Sequence, residues 1–274
     1  MEDLKNNSQN FVDFVDNYLK ENCEEELFEM TVLTGHSVGG AGKSSKDEYY
    51  SSYVRCLAYI DREGKLKKEE VSLFYFLENT TPLKYLDIKK LSVYNVLVKK
   101  LKDKNIYCIV KLNGKVETTV FDEIIKEETT PLEIEDGENL FEFDRTYGWY
   151  VGKVKLEGKR ATVLLYPERK TKDATKSLNT FRKIEKDFKN FYHTVLSNCA
   201  ESMVGMANEW KDEDDTHEIT AEEIYRRIDK GCFDIEIRDT KLTIYFEDDD
   251  LFLGHTILYE GDIENKTFHT TIAG

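Results

Sequence analysis

The chain has 274 residues, enough for one large domain or two ordinary ones, and its 40% hydrophobic and 12% aromatic content excludes a disordered chain. A formal charge of −15, from 54 acidic against 39 basic residues, weighs against nucleic acid and anionic membrane partners, which bind through Lys and Arg. Five cysteines, scattered singly with no CxxC pair, read as free thiols, and with no signal segment and no apolar run of membrane-spanning length the expectation is a cytoplasmic protein.

Phe11, Phe14, Val15, Tyr18 and Leu19 recur at helical spacing, so the chain is expected to open with an amphipathic helix. Strand-like runs follow over residues 27–33, 53–60, 71–77, 91–98 and 106–112. Turn chemistry at residues 61–64 and 102–105 makes close neighbours antiparallel. A short helix over 121–126 closes this part. Residues 1–133 thus read as a β-rich domain, a small barrel or a strongly twisted antiparallel sheet.

The polar stretch 127–139, with Pro131 and Gly137, is the expected boundary. Strands are expected over 140–143, 149–156 and 160–166, with Glu157-Gly158 as a two-residue hairpin turn. Helical periodicity runs over 173–210. Unbroken, it would be about 55 Å long, so a break is expected near Ser197-Asn198, where helix propensity is weak. Thr220 and Glu223 form the pattern of a capping box, and Gly231 stands where the following helix should end. Phe233, Ile235 and Ile237 then alternate with Asp234, Glu236 and Arg238, a strand with one wet face. Residues 136–274 read as an α+β domain with helices packed on one face of an antiparallel sheet.

Several short segments carry a resemblance. Residues 242–274, rich in alternating strands around Gly254-His255, combine with Ala207-Asn208-Glu209-Trp210 and Ile219-Thr220-Ala221-Glu222-Glu223. Together they resemble an uncharacterised bacterial family, the domain of unknown function twenty-two sixty-two. The N-terminal half is similar to the region that usually precedes that domain, through Thr34-Gly35, Gly39-Gly40-Ala41-Gly42-Lys43 and Tyr59-Ile60-Asp61. The resemblance implies the two-domain layout and no established activity.

Three segments offer chemistry. Residues 37–44 nearly spell a phosphate-binding loop, but Ser37 stands where glycine is needed and no helix pattern follows, so they read as a flexible glycine loop. Asp212, Asp214, Thr216, Ile219, Thr220 and Glu223 occupy positions one, three, five, eight, nine and twelve of an EF-hand-like calcium loop. His217 replaces the glycine at its sharp turn and Glu223 has a competing capping role, so the loop is expected to be empty. Asp248, Asp249, Asp250 and His255 could ligate a metal or simply form a polar turn. His36, His193 and His269 show no partner in sequence, and Trp149 and Trp210 read as core. No catalytic residue and no cofactor is assigned.

The expectation is a non-enzymatic module binding another protein, of basic character, an immunity-type inhibitor of a basic toxin being one version. Its surface is expected to combine residues 209–218 with the turn at 247–250. The alternative is a metal-dependent enzyme or metal-binding protein using those same acidic loops. Oligomeric state is left open.

Overall fold

The computed structural model describes residues 2–43, 45, 47–78, 85–169, 171–211 and 216–274, with residues 2–8 in backbone only. The chain divides into two compact units, residues 1–130 and 131–274. The division falls inside the polar stretch 127–139, which is not a free linker: α2 (Asp122–Thr129) and β7 (Glu133–Asp136) occupy most of it.

The N-terminal unit opens with α1 (Glu2–Asn22), whose Phe14 and Tyr18 rings meet Phe74 and Phe76 edge-on. Its strands are β1 (Cys23–Gly42), β2 (Tyr50–Ile60), β3 (Leu66–Lys67), β4 (Val71–Leu77), β5 (Val93–Leu101) and β6 (Ile106–Lys115). β1 pairs antiparallel with both β5 and β2, β5 with β6, and β2 with β4, while β4 reaches β6 over three parallel pairs. The pairings thus return to β1. β1 meets its two partners mainly through different halves, however, so the sheet is not a clear barrel. Met30, Val32, Val54, Cys56, Leu73, Val96 and Val98 fill its interior.

The expected glycine loop is part of a strand. β1 runs through Gly39 and Gly40, whose φ values of 81° and 108° bend it, and pairing resumes on either side at Val38↔Val54 and Ala41↔Ser52. Glycine serves here as a bulge residue, because a left-handed φ suits a residue without a Cβ.

The C-terminal unit holds one eight-stranded sheet in the order β14-β13-β12-β11-β10-β9-β8-β7. Its further strands are β8 (Asn139–Asp144), β9 (Trp149–Leu156), β10 (Lys159–Tyr166), β11 (Phe233–Arg238), β12 (Lys241–Glu247), β13 (Thr256–Asp262) and β14 (Thr267–Ala273). The Glu157-Gly158 turn forms as expected, both residues having positive φ. As with β4 and β6 in the N-terminal unit, one pairing here departs from the antiparallel expectation: β10 and β11 are parallel. Three helices intervene between them, and a long crossover is what a parallel pair requires.

Those helices are α3 (Thr175–Lys186), α4 (Phe188–Trp210) and α5 (Ala221–Ile228). The helical stretch breaks at Asp187 (φ −134°, ψ 40°), not at Ser197-Asn198. α3 rests on β10 and β11 while α4 rests on β13 and β14. Packing across a sheet about 34 Å wide places the break, overriding weak local propensity. Ile184 and Phe188 on either side are both buried. α5 ends at Ile228, short of Gly231. Thr220 caps it by accepting the Glu223 N–H (3.3 Å), while the Glu223 carboxylate turns to His217 Nε2 (2.8 Å), so only half of the capping box forms. The buried residues Val163, Phe181, Leu196, Ile224, Ile235, Ile244 and Phe252 share one core between helices and sheet.

Candidate functional site

Asp212 and Asp214 lie outside the described residues. Of the remaining members of that loop, Ile219 is buried, its N–H donating to Asn208 Oδ1 (3.0 Å), and Thr220 and Glu223 are engaged as above. Arg227 also stands 3.8 Å from Glu223. Thr216 is exposed. Lys43 of the glycine segment donates to the Glu48 carbonyl (2.8 Å) and sits over the Tyr50 ring.

The turn at residues 248–255 is built around one buried carboxylate. Asp248, only 6% exposed, accepts the backbone N–H groups of Phe252 (2.7 Å), Gly254 (3.1 Å) and Asp250 (3.3 Å). Three N–H donors satisfy a buried carboxylate that would otherwise be expensive to desolvate. Asp249, Asp250, Leu253 and Gly254 all take positive φ, between 48° and 83°. For Leu253 (φ 56°) this is a strained conformation, held by the surrounding structure. Leu251 and Phe252 point into the core, whereas Leu253 is 78% exposed. The Asp248 cradle therefore pushes one large apolar side chain into solvent.

Neighbouring elements complete a corner. Trp210 closes α4, is 36% exposed, and meets Phe252 and His255 edge-on at 5.9 and 5.1 Å. The expectation that Trp210 is core is thus corrected: a helix end carries it to the rim. Arg227 of α5 reaches Asp249, from Nε to Oδ2 (3.1 Å) and from Nη2 to its carbonyl. His255 Nδ1 lies 2.6 Å from the Phe252 carbonyl, an oxygen that can only accept, so Nδ1 carries the proton. Glu209, Glu218, Glu222, Glu247 and Asp250, on or next to the elements that form this corner, are exposed. Among the described residues, Trp210 and Arg227 thus bring the end of α4 and α5 against the 248–255 turn.

Trp149 is a second departure from core. It lies on the helix-free face of the sheet, stacked by Tyr147 (5.0 Å, 7° between planes) and flanked by Tyr166 (5.2 Å), with Arg238 over Tyr166 (4.3 Å). The histidines do have partners: His36 with Glu128 (2.9 Å), His193 with the Tyr225 hydroxyl (3.0 Å) and His269 with Glu260 (3.3 Å). Tertiary contact alone brings the first two pairs together. Cys56, Cys108 and Cys199 are buried, which pushes each thiol up to about 12. Cys232 is exposed. Leu253 left one trace in the sequence: Leu251-Phe252-Leu253 between Asp250 and Gly254 is an apolar triplet inside a turn, too tight for all three to face inward.

Comparison with known families places this corner. Residues 138–272 match the family described as uncharacterized protein conserved in bacteria (DUF2262). The C-terminal half belongs to this family. Residues 16–131 match a second family, domain of unknown function DUF7021, so the strand ring precedes the DUF2262 domain, and the corner and open sheet face both lie within the latter. No curated protein matches the chain. No helix of the described residues is long and apolar enough to cross a membrane.

Proposed function

We propose that this chain is a non-enzymatic protein-binding module, and that the corner formed by the end of α4, by α5 and by the 248–255 turn is its contact surface. The observation that carries the reading is Leu253, a large apolar residue 78% exposed in a left-handed conformation. Strain of this kind persists only where the surroundings enforce it, and it gathers at binding sites. An apolar anchor on a turn that also meets Trp210 and carries exposed carboxylates fits a partner offering an apolar pocket within a basic surface. An inhibitor of a basic toxin is one such pairing. Five unpaired cysteines support a reducing compartment, the cytoplasm. For the N-terminal unit, the return of the pairings to β1 supports a small, partly open barrel.

Affinity capture from a native lysate, followed by rate measurements on the captured partner, tests this reading. Leu253→Asp should abolish capture while leaving the circular dichroism spectrum unchanged. Glu247→Lys with Asp250→Lys should slow association, and added salt should weaken binding. Asp248 is unsuitable for charge reversal because it holds the turn together. Binding that ignores Leu253→Asp and salt alike would reject this surface.

A further inference from the structure

The two edges of the C-terminal sheet are unlike. β7 is four residues long, three of them acidic, and follows shortly after Pro131; Arg182 also reaches its Asp136 (2.7 Å). Short length, charge and a nearby proline are how natural sheets blunt an edge. β14 has none of these. Its seven residues, Thr267–Ala273, contain no Lys, Arg, Asp, Glu or Pro, and it pairs with β13 without a bulge. Its one titratable side chain, His269, lies 3.3 Å from the Glu260 carboxylate of the neighbouring strand. Among the described residues no strand pairs with its outer side.

We infer that β14 is a self-association edge, pairing antiparallel with β14 of a second copy so that the two eight-stranded sheets become one. The strand's own pattern selects the register. A two-fold axis perpendicular to the sheet keeps each face on its own side, so residues pair only in registers that match inward with inward side chains. Centred on Thr270, the pairing sets Phe268 against Ile272, Thr270 against Thr270, His269 against Thr271 and Thr267 against Ala273. All seven residues are used, and the two half-buried apolar side chains on the helix side, which already pack against the core, cover each other. Centring on His269 would bring Lys266 against Ile272 on that apolar side. Centring on Thr271 would leave Phe268 opposite Gly274. Only the Thr270 register is self-complementary.

The self-complementary register and the helix spacing favour a second copy as the occupant. A chain of net charge −15 repels its own copies over most of its surface, and β14, which itself carries no acidic residue, is an edge where that repulsion is locally smallest. α4 rests on both β13 and β14, and Thr270 Oγ1 bonds to Cys199 of α4 (3.8 Å). Across the axis, α4 and its copy would lie about two strand spacings apart, roughly 10 Å, the distance at which helices pack.

Sedimentation velocity of the full chain across a concentration series, with amide exchange read over residues 267–273, tests the inference. A dimer is expected, with protection of those amides rising with protein concentration. Thr271→Lys, a change on the helix-free face that sets lysine against His269 of the copy, should return it to monomer with an unchanged circular dichroism spectrum. Glu135→Lys on β7 should leave the dimer intact. A monomer at millimolar concentration overturns the inference, as does a dimer whose 267–273 amides exchange at a rate independent of concentration. A dimer undisturbed by a folded Thr271→Lys variant overturns it too. Should Thr271→Lys not fold, the exchange series on the unaltered chain decides.

Discussion

In the N-terminal unit every described strand except the two-residue β3 has a neighbour on both sides, whereas the C-terminal sheet stops at β7 and at β14. The ring satisfies part of its edge backbone internally, with β4 and β6 paired over only three residues, and leaves no whole strand other than β3 open along one side. The open sheet keeps two edges and a helix-free face, and must protect them or use them. Two glycine positions show how a strand can require this residue for opposite reasons. In the ring, Gly39 and Gly40 have open space where a Cβ would stand and are needed for their φ. In the open sheet, Gly152 has ordinary φ but no room, since a Cβ there would lie 2.6 Å from the Phe141 ring and 2.8 Å from the Leu140 carbonyl. Curvature sets the first requirement and the close approach of the neighbouring strand β8 the second.

The sharpest way to break this comparison is at the corner of the open sheet, which depends on one side chain. Asp248→Ala leaves three backbone N–H groups without their acceptor and should destabilise the C-terminal unit by about 3 kcal/mol, since an unsatisfied buried donor costs roughly 1–3 kcal/mol. Urea unfolding monitored by tryptophan fluorescence reports that unit, because both tryptophans, Trp149 and Trp210, lie in it. A loss below a few tenths of a kcal/mol would mean the turn stands without its carboxylate.

The glycine contrast predicts different substitution patterns. Gly152→Ala should cost about 2 kcal/mol by overpacking, and no residue with a Cβ should rescue it. Gly39→Ala should cost about 1 kcal/mol through its left-handed φ, with Asn better tolerated than Ala. Equal tolerance of Asn at both positions would erase the distinction.

Thiol chemistry sharpens the comparison further. Native protein treated with a thiol reagent should modify Cys232 promptly. Cys56 and Cys108 in the ring and Cys199 under the sheet should react only on unfolding, because burial keeps them protonated and covered. Mass spectrometry of the labelled peptides reads this directly.

The smallest effect should be shared by both units. The Asp61 carboxyl is held below its ordinary 3.8 by the N–H groups of Lys65 and Glu63, and Asp262 likewise by those of Asn265 and Glu264. Each carboxylate therefore adds stability that is fully present above 3.8 and is lost as pH falls through the lower folded value. Amide exchange at those four positions, corrected for its intrinsic pH dependence, should rise below pH 3.8 while the strands beside them stay protected.

Sequence by itself determined the local elements. The stripe from Phe11 to Leu19 is α1, the alternation of Phe233, Ile235 and Ile237 is β11 with its inward side buried, and Glu157-Gly158 is a hairpin turn. Each is set by burial repeating every two or every three to four residues, a signal contained within a few neighbours. Tertiary structure alone decided the rest. It set β4 beside β6 in parallel, carried β1 through its glycines, broke the long helix at Asp187, and brought Trp210 against Phe252 and His255. Periodicity says which side of an element faces inward, but it does not say against what. That depends on chain closure between residues tens of positions apart and on the space left once neighbouring layers are filled. Leu253 is the clearest case: its composition says core, and only the carboxylate of Asp248, gathering three N–H groups beneath it, turns it out into water.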